Sequence, residues 1–116
     1  MKYSLFIGRW QPLHDGHKWL INERLKEGKN VCIAIRDIKQ DNDNPYSPKE
    51  VKQNIEKELE ELIKLRKVKV IIIPDIESVN YGRGVGYEII EHNPPRTIMN
   101  ISATEIREQL RKSGKL

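Results

Sequence analysis

Two short stretches of this chain carry residue types whose spacing suits phosphate chemistry. The first is Gly8-Arg9-Trp10-Gln11-Pro12-Leu13-His14-Asp15-Gly16-His17. Gly8 has no Cβ to keep a phosphate off the backbone. Gly16 and His17 open a helical pattern, whose free N–H groups and positive dipole end favour an anion. His14 and His17 stand three apart, a spacing that can bring both imidazoles to one site at a helix start. Their N–H donors would hold a phosphate chain and take up charge on a leaving group. The same pair could ligate a metal, but a zinc site wants at least three protein ligands and no third is nearby. Two ordinary surface histidines are the bland reading, weakened by the Gly, Arg, Gln and Pro around them. The second stretch is Ile101-Ser102-Ala103-Thr104-Glu105-Ile106-Arg107. On bland terms Ser102 caps a helix, Glu105 closes the capping box, and Ile106 and Leu110 bury. On functional terms it adds a second helix N-terminus with the hydroxyls of Ser102 and Thr104, and Arg107 one turn in as a fork for distal phosphates.

The elements that must position these stretches follow from hydrophobic patterning. At 116 residues the chain is expected to be a single domain, 1–116, long enough to bury a core without staples. Tyr3 to Ile7 reads as a buried strand ending at Gly8, and Val31 to Ile35 as a strand covered on both faces. Val68 to Ile73 gives a third strand stopped by Pro74, and Thr97 to Ile101 a fourth. Helices are expected from about Gly16 to Glu27, with Asp15 as N-cap and Gly28 as the stop, and from Ser47-Pro48-Lys49-Glu50 to about Leu65. A short helix over Tyr87 to Glu91 and a last one from Ser102 to about Lys112 complete the list. Strands separated by helices imply right-handed parallel crossovers. The expected fold is α/β: a small Rossmann-like doubly wound parallel sheet, three-layer α/β/α. In strand order 3-2-1-4 the loops after strands one and four meet at the reversal, where ligands bind in such sheets.

Composition narrows the classes. Hydrophobic residues make up 37% and charged residues 33%, which suits a compact core under a charged surface. The apolar runs fall far short of the ~20 residues of a membrane helix, and no secretory signal pattern is present. The single Cys32 excludes an internal disulfide and a cysteine-rich zinc site, so a cytoplasmic setting is expected. A net charge of +4 favours anionic ligands without amounting to a nucleic-acid signature.

Taken together and in order, His14-Asp15-Gly16-His17 and Ile101-Ser102-Ala103-Thr104-Glu105-Ile106-Arg107 resemble the HxGH and ISxTxIR signatures of the nucleotidyltransferase (cytidylyltransferase-like) superfamily. Arg9, Gln11 and Pro12 match the GRFQPxHxGH version, with Trp10 in place of Phe, which looks most like the archaeal-type nicotinamide-mononucleotide adenylyltransferases. Asn44-Pro45-Tyr46-Ser47 is similar to the NPFT segment of that group. The resemblance implies catalytic roles for His14, His17 and Arg107. It implies nucleotide binding by Gly8, Arg9, Gln11, Gly16, Ser102 and Thr104. It implies transfer of a nucleoside monophosphate, AMP from ATP, to a small phosphate-bearing acceptor, with pyrophosphate released and Mg2+ as cofactor. Cytidylyl transfer from CTP is the alternative. There are departures: Val51 follows Glu50 where relatives carry Arg, only Glu91 to Thr97 stands where they have an extra strand and loop, and the chain reaches only Leu116 where they continue. The acceptor half of the pocket is therefore left open.

On the acceptor side, Arg83 in Tyr81-Gly82-Arg83-Gly84-Val85-Gly86 and Arg36 past strand two are the candidates; for Arg83 a plain surface loop is the equal rival. Trp10 could shield the pocket or simply pack, and Trp19 packs. Asp41 and Asp43 lack the Gly and Glu offsets of a calcium loop. The stripe from Glu56 to Lys67 reads as a solvated helix face, and Cys32 as an inert core residue. Two rival functions stand beside the enzyme: a nucleotide-sensing module without turnover, and a small nucleic-acid-binding domain with steeply salt-dependent affinity. The expected partners are a nucleoside triphosphate and a small anionic acceptor, with no nucleic acid and no membrane. The exposed edges of so small a sheet make a symmetric homodimer the commonest outcome, which no residue here specifies.

Overall fold

The computed structural model describes residues 1–116. Three strands, β1 (Tyr3–Gly8), β2 (Asn30–Asp37) and β3 (Val68–Pro74), form one parallel sheet in the order β1-β2-β3. Ser4 sits opposite Val31 and Gly8 opposite Ile35, while Val31 pairs with Val68 and Ile35 with Ile72. The continuous apolar run of β2 is explained by its central place: Val31 to Ile35 are all buried.

The helices are α1 (Asp15–Leu25), α2 (Pro48–Glu58), α3 (Glu60–Lys64), α4 (Arg96–Met99) and α5 (Ala103–Lys112). Ile21 of α1 and Val51 and Ile55 of α2 share one core cluster with Val31, Ile33 and Ile35. Both crossovers step the same way across the sheet, which sets both helices on one face. α2 starts as the sequence predicts: Ser47 Oγ accepts from Glu50 N–H, and the Glu50 carboxylate accepts from Ser47 N–H, both at 3.2 Å. The helix expected to run on to Leu65 is interrupted at Leu59 (φ −107°, ψ 26°). This bend still lets Leu59, Leu62 and Ile63 pack against the core. Gly28 takes φ +76° beyond α1, as the expected stop requires.

Two expectations are corrected. Thr97 to Ile101 is not a fourth strand; Arg96–Met99 forms a single helical turn after Pro95. Met99 N–H bonds Pro95 C=O at 2.9 Å and Asn100 N–H bonds Arg96 C=O at 3.1 Å, so local bonds satisfy this backbone in place of a ladder. With no strand beyond it, β1 stays at the sheet edge, Leu5 is 58% exposed, and the strand order contains no reversal. Tyr87 to Glu91 forms no helix either; residues 77–91 are all exposed and irregular. Gly84 and Gly86 there adopt positive φ, which breaks any regular path. No helix is long and apolar enough to cross a membrane.

Candidate functional site

The loop from Gly8 to His17 is built on its own rings. α1 is capped by His14, not by Asp15 as expected. The His14 Nδ1 accepts from the N–H groups of Gly16 (3.0 Å) and His17 (3.4 Å). His17 returns the contact, its Nδ1 accepting from His14 N–H at 3.2 Å. This is a capping box with imidazoles in both places. Because both Nδ1 atoms accept, the hydrogen-bond network assigns the proton of each neutral ring to Nε2, turned away from the backbone. The rings stack, centroids 3.7 Å apart and 16° from parallel. The chain thus presents two Nε2–H donors side by side at a helix N-terminus.

Both glycines of the loop make room for these rings. A Cβ on Gly16 would meet His14 Cε1 at 2.8 Å, and one on Gly8 would meet Trp10 Cε2 at 3.1 Å. The face of Gly8 expected to admit a phosphate is therefore covered by an indole. Trp10 is buried with φ +55°, a left-handed conformation that costs a non-glycine residue about 1–3 kcal/mol and persists only where its surroundings hold it.

Gln11 ties the loop to its neighbours. Its amide pairs both ways with the backbone of Tyr46: Nε2–H donates to Tyr46 C=O at 2.8 Å, and Oε1 accepts from Tyr46 N–H at 3.0 Å. Its own carbonyl accepts from Arg107 Nη1 at 2.8 Å. The fork expected for distal phosphates is thus turned inward; Arg107 is 3% exposed and its other Nη2 donates to Thr104 Oγ1 at 3.3 Å. Thr104 is exposed, so its hydroxyl is the outer end of this chain of bonds. Ser102 caps α5 by accepting from Glu105 N–H at 3.4 Å, without the reciprocal Glu105 contact of a full box. The Cβ position of Gly16 lies 3.8 Å from Ile101 Cβ, so the starts of α1 and α5 adjoin. Arg9 is exposed and reaches Asn44 Oδ1 at 3.5 Å. Asn44 is buried and fastened to Asp41, whose carboxyl these bonds hold below the usual carboxylate range.

The electrostatics of the loop are uneven. Burial lowers the His17 pKa to about 3, with the adjacent His14 adding to the effect. Burial also lowers that of His14, against the opposing pull of Asp15. Both rings are neutral at pH 7. The Arg107 guanidinium has no carboxylate within ion-pair distance, its partners being a carbonyl and a hydroxyl. A buried cation held only by neutral oxygens leaves an unmet demand for negative charge. Linkage turns the histidine shift into a prediction. Between pH 6.5 and 3 the unfolded chain binds a proton at His17 that the folded chain refuses, so stability is full above this window and falls as pH drops through it. Going from pH 7.5 to 5 should cost about 1–2 kcal/mol through this ring after allowance for partial exposure. Urea midpoints at the two pH values will show it as an excess loss over the His17→Gln variant; equal losses in both proteins would refute it.

No group of three or more His, Cys, Asp and Glu side chains could hold a metal ion. The donor set therefore does not fit a resident metal, and magnesium would have to arrive on the phosphates of a ligand, as it commonly does.

The structure brings Gly8, Gln11, His14, Gly16, His17, Ser102, Thr104 and Arg107 into one neighbourhood, with Arg9 at its rim. No side-chain bond ties Arg36 or Arg83 to it, although Arg36 follows Ile35, the β2 partner of Gly8. Arg36 is engaged by Asp75, to which Nε donates at 3.0 Å, and by the carbonyl of Ile76. Arg83 lies in the exposed irregular stretch 77–91. For Trp10 the sequence left shielding and packing both open, and the structure buries the ring. The use of Tyr46 as the Gln11 partner was missed, because contacts to backbone atoms leave no signal in residue type.

Comparison with curated proteins finds similarity to a nicotinamide-nucleotide adenylyltransferase of Methanococcus aeolicus, 39% identical over 46 residues. The aligned part is 38% of this chain and 27% of that protein, so the chain spans about a quarter of the length of the relative it matches. No family model matches the chain, and no solved structure matches it.

Proposed function

We propose that this chain is a nucleotidyltransferase that moves AMP from ATP to a small phosphate-bearing acceptor and releases pyrophosphate. The observation that carries the reading is the buried, carboxylate-free Arg107 behind a turn that presents two imidazole Nε2–H donors. A polyphosphate supplies the negative charge this arrangement lacks. The partial similarity to an archaeal nicotinamide-nucleotide adenylyltransferase supports the same class and favours ATP; CTP is the alternative.

In this mechanism an oxygen of the acceptor phosphate attacks the α-phosphorus in line, the bond to the β-phosphate bridging oxygen breaks, and pyrophosphate leaves with that electron pair. No covalent enzyme intermediate forms. His14 and His17 donate from Nε2 to the oxygens on which charge grows, and their stacking keeps both donors aimed without reorganisation. Thr104 and Ser102 donate to the outer phosphates, with Arg107 polarising the Thr104 hydroxyl from behind. The N-terminal dipole ends of α1 and α5 add to the field, although His14 already takes the Gly16 and His17 N–H groups and Ser102 that of Glu105. Magnesium, where the triphosphate carries it in, would neutralise charge on the phosphates. The three-layer form of the fold belongs to the same proposal, since the observed helix packing on the sheet comes from α1, α2 and α3.

The test is a screen of ATP and CTP against phosphate-bearing acceptors, followed by pyrophosphate release and by mass spectrometry of the condensed product. A product from one pair is the expected result. No pyrophosphate with any pair, together with unchanged ATP affinity in His17→Ala, would overturn the reading. Tight ATP binding without product would point instead to a sensor, a reading favoured by the exposed stretch 77–91 where an acceptor site would be sought.

A further inference from the structure

We infer that Trp10 is a positioning residue for the His17 imidazole, the link through which β2 aims the donor pair. Its indole N–H donates to the Ala34 carbonyl at 3.0 Å, which fixes the ring to the central strand. One side of the indole covers Gly8, where an added Cβ would come within 3.1 Å. The ring meets His17 edge to face, centroids 4.7 Å apart at 68°. His17 in turn stacks on His14, whose ring covers Gly16. The order Gly8, Trp10, His17, His14, Gly16 is a continuous pile with glycine at each end and a hydrogen bond to the sheet at Trp10. Nothing else in the pile reaches the sheet through a side-chain bond, so the His17 ring, whose Nδ1 accepts from His14 N–H at 3.2 Å, is tied to β2 through the indole.

Trp10 also shuts water from one side of His17, which keeps that ring a neutral donor; His14 is the titratable group in contact with it, and Asp15 acts on His14. Trp10 itself touches no phosphate in this account. It acts through His17, and its kinetic consequence rests on the nucleotidyltransferase reading.

The experiment compares the unaltered chain with Trp10→Leu, Trp10→Phe and Gly8→Ala. The His17 ring is titrated by NMR in each, and kcat and KM are measured for pyrophosphate release. Trp10→Leu is expected to raise the His17 titration midpoint by at least about one pH unit and to lower kcat about tenfold, with KM within about twofold. Trp10→Phe keeps an aromatic edge against His17 and should recover most of both changes. Gly8→Ala leaves every side chain of the pile chemically intact but crowds the indole, and should move both readouts in the Trp10→Leu direction by a smaller amount. It decides the matter if Trp10→Leu fails to fold. An unchanged His17 midpoint in folded Trp10→Leu, or in Gly8→Ala when Trp10→Leu does not fold, would overturn the proposal. If the unaltered chain turns over no triphosphate, the reaction reading fails and the titrations alone still decide the positioning role.

Discussion

Arg107→Ala is expected to destabilise the chain by about 2–4 kcal/mol and to cost more activity than that loss of fold explains. The guanidinium is 3% exposed and donates to Gln11 C=O at 2.8 Å. A charged donor of this kind contributes about 1.5–3 kcal/mol, and its deletion leaves a buried carbonyl without a partner. The emptied volume adds a cavity penalty, which together places the change among the larger single-site effects. Arg107→Lys should recover only part of the stability, because one ammonium on a flexible stem cannot serve both Gln11 and Thr104 as the planar fork does. Denaturant melts at pH 7.5 read the stability, and ATP affinity is measured on the folded fraction. A loss of affinity with stability unchanged would mean that Arg107 turns outward to the ligand and is no tie in the fold. A loss of both at once is the result expected for a residue that holds the His14 turn in place.

His17→Ala is expected to lower pyrophosphate release by about 100- to 1,000-fold, the range seen when one preorganised donor to a developing oxyanion is removed. Its stability at pH 7.5 should also fall, by about 1–2 kcal/mol, because the ring accepts from His14 N–H and packs between Trp10 and His14. His14→Ala tests the other ring. That ring is the N-cap of α1, accepting from two backbone N–H groups, so its removal should cost about 1 kcal/mol of stability as well as rate. Activity of His17→Ala within a few-fold of the unaltered chain would remove the imidazole pair from the mechanism.

How far the fold could be read from the sequence depended on whether local chemistry decided the outcome. Val31–Ile35 and Val68–Ile73 are short runs rich in Val and Ile, and both are strands. Ser47-Pro48-Lys49-Glu50 carries its own start signal and makes both halves of its box. Thr97–Ile101 has strand-like composition too, but a strand needs a neighbour, and the ladder partner is a property of the whole fold. Following Pro94 and Pro95, the same residues close local helical bonds. The site was legible as a set of residue types near one another in space. What spacing could not convey was side-chain direction. Arg107 at one turn into α5 can point to solvent or to the Gln11 carbonyl, and only tertiary contact selects the second. The same holds for His14: histidine is no favoured cap, and its capping role emerges because Gly16 leaves space for the ring.

The pile from Gly8 to His17 is contributed by one uninterrupted run of ten residues, whereas the Arg107–Gln11 bond joins positions 96 apart. Closing a short segment costs little chain entropy, and closing nearly the full length costs more. The imidazole pair can therefore take shape early in folding on the β1–β2 scaffold, and the guanidinium arrives when the C-terminal helix docks. In the proposed reaction the anion cradle would be complete only after that docking: a molecule with its two imidazoles paired but α5 undocked would lack the Arg107 tie to Gln11.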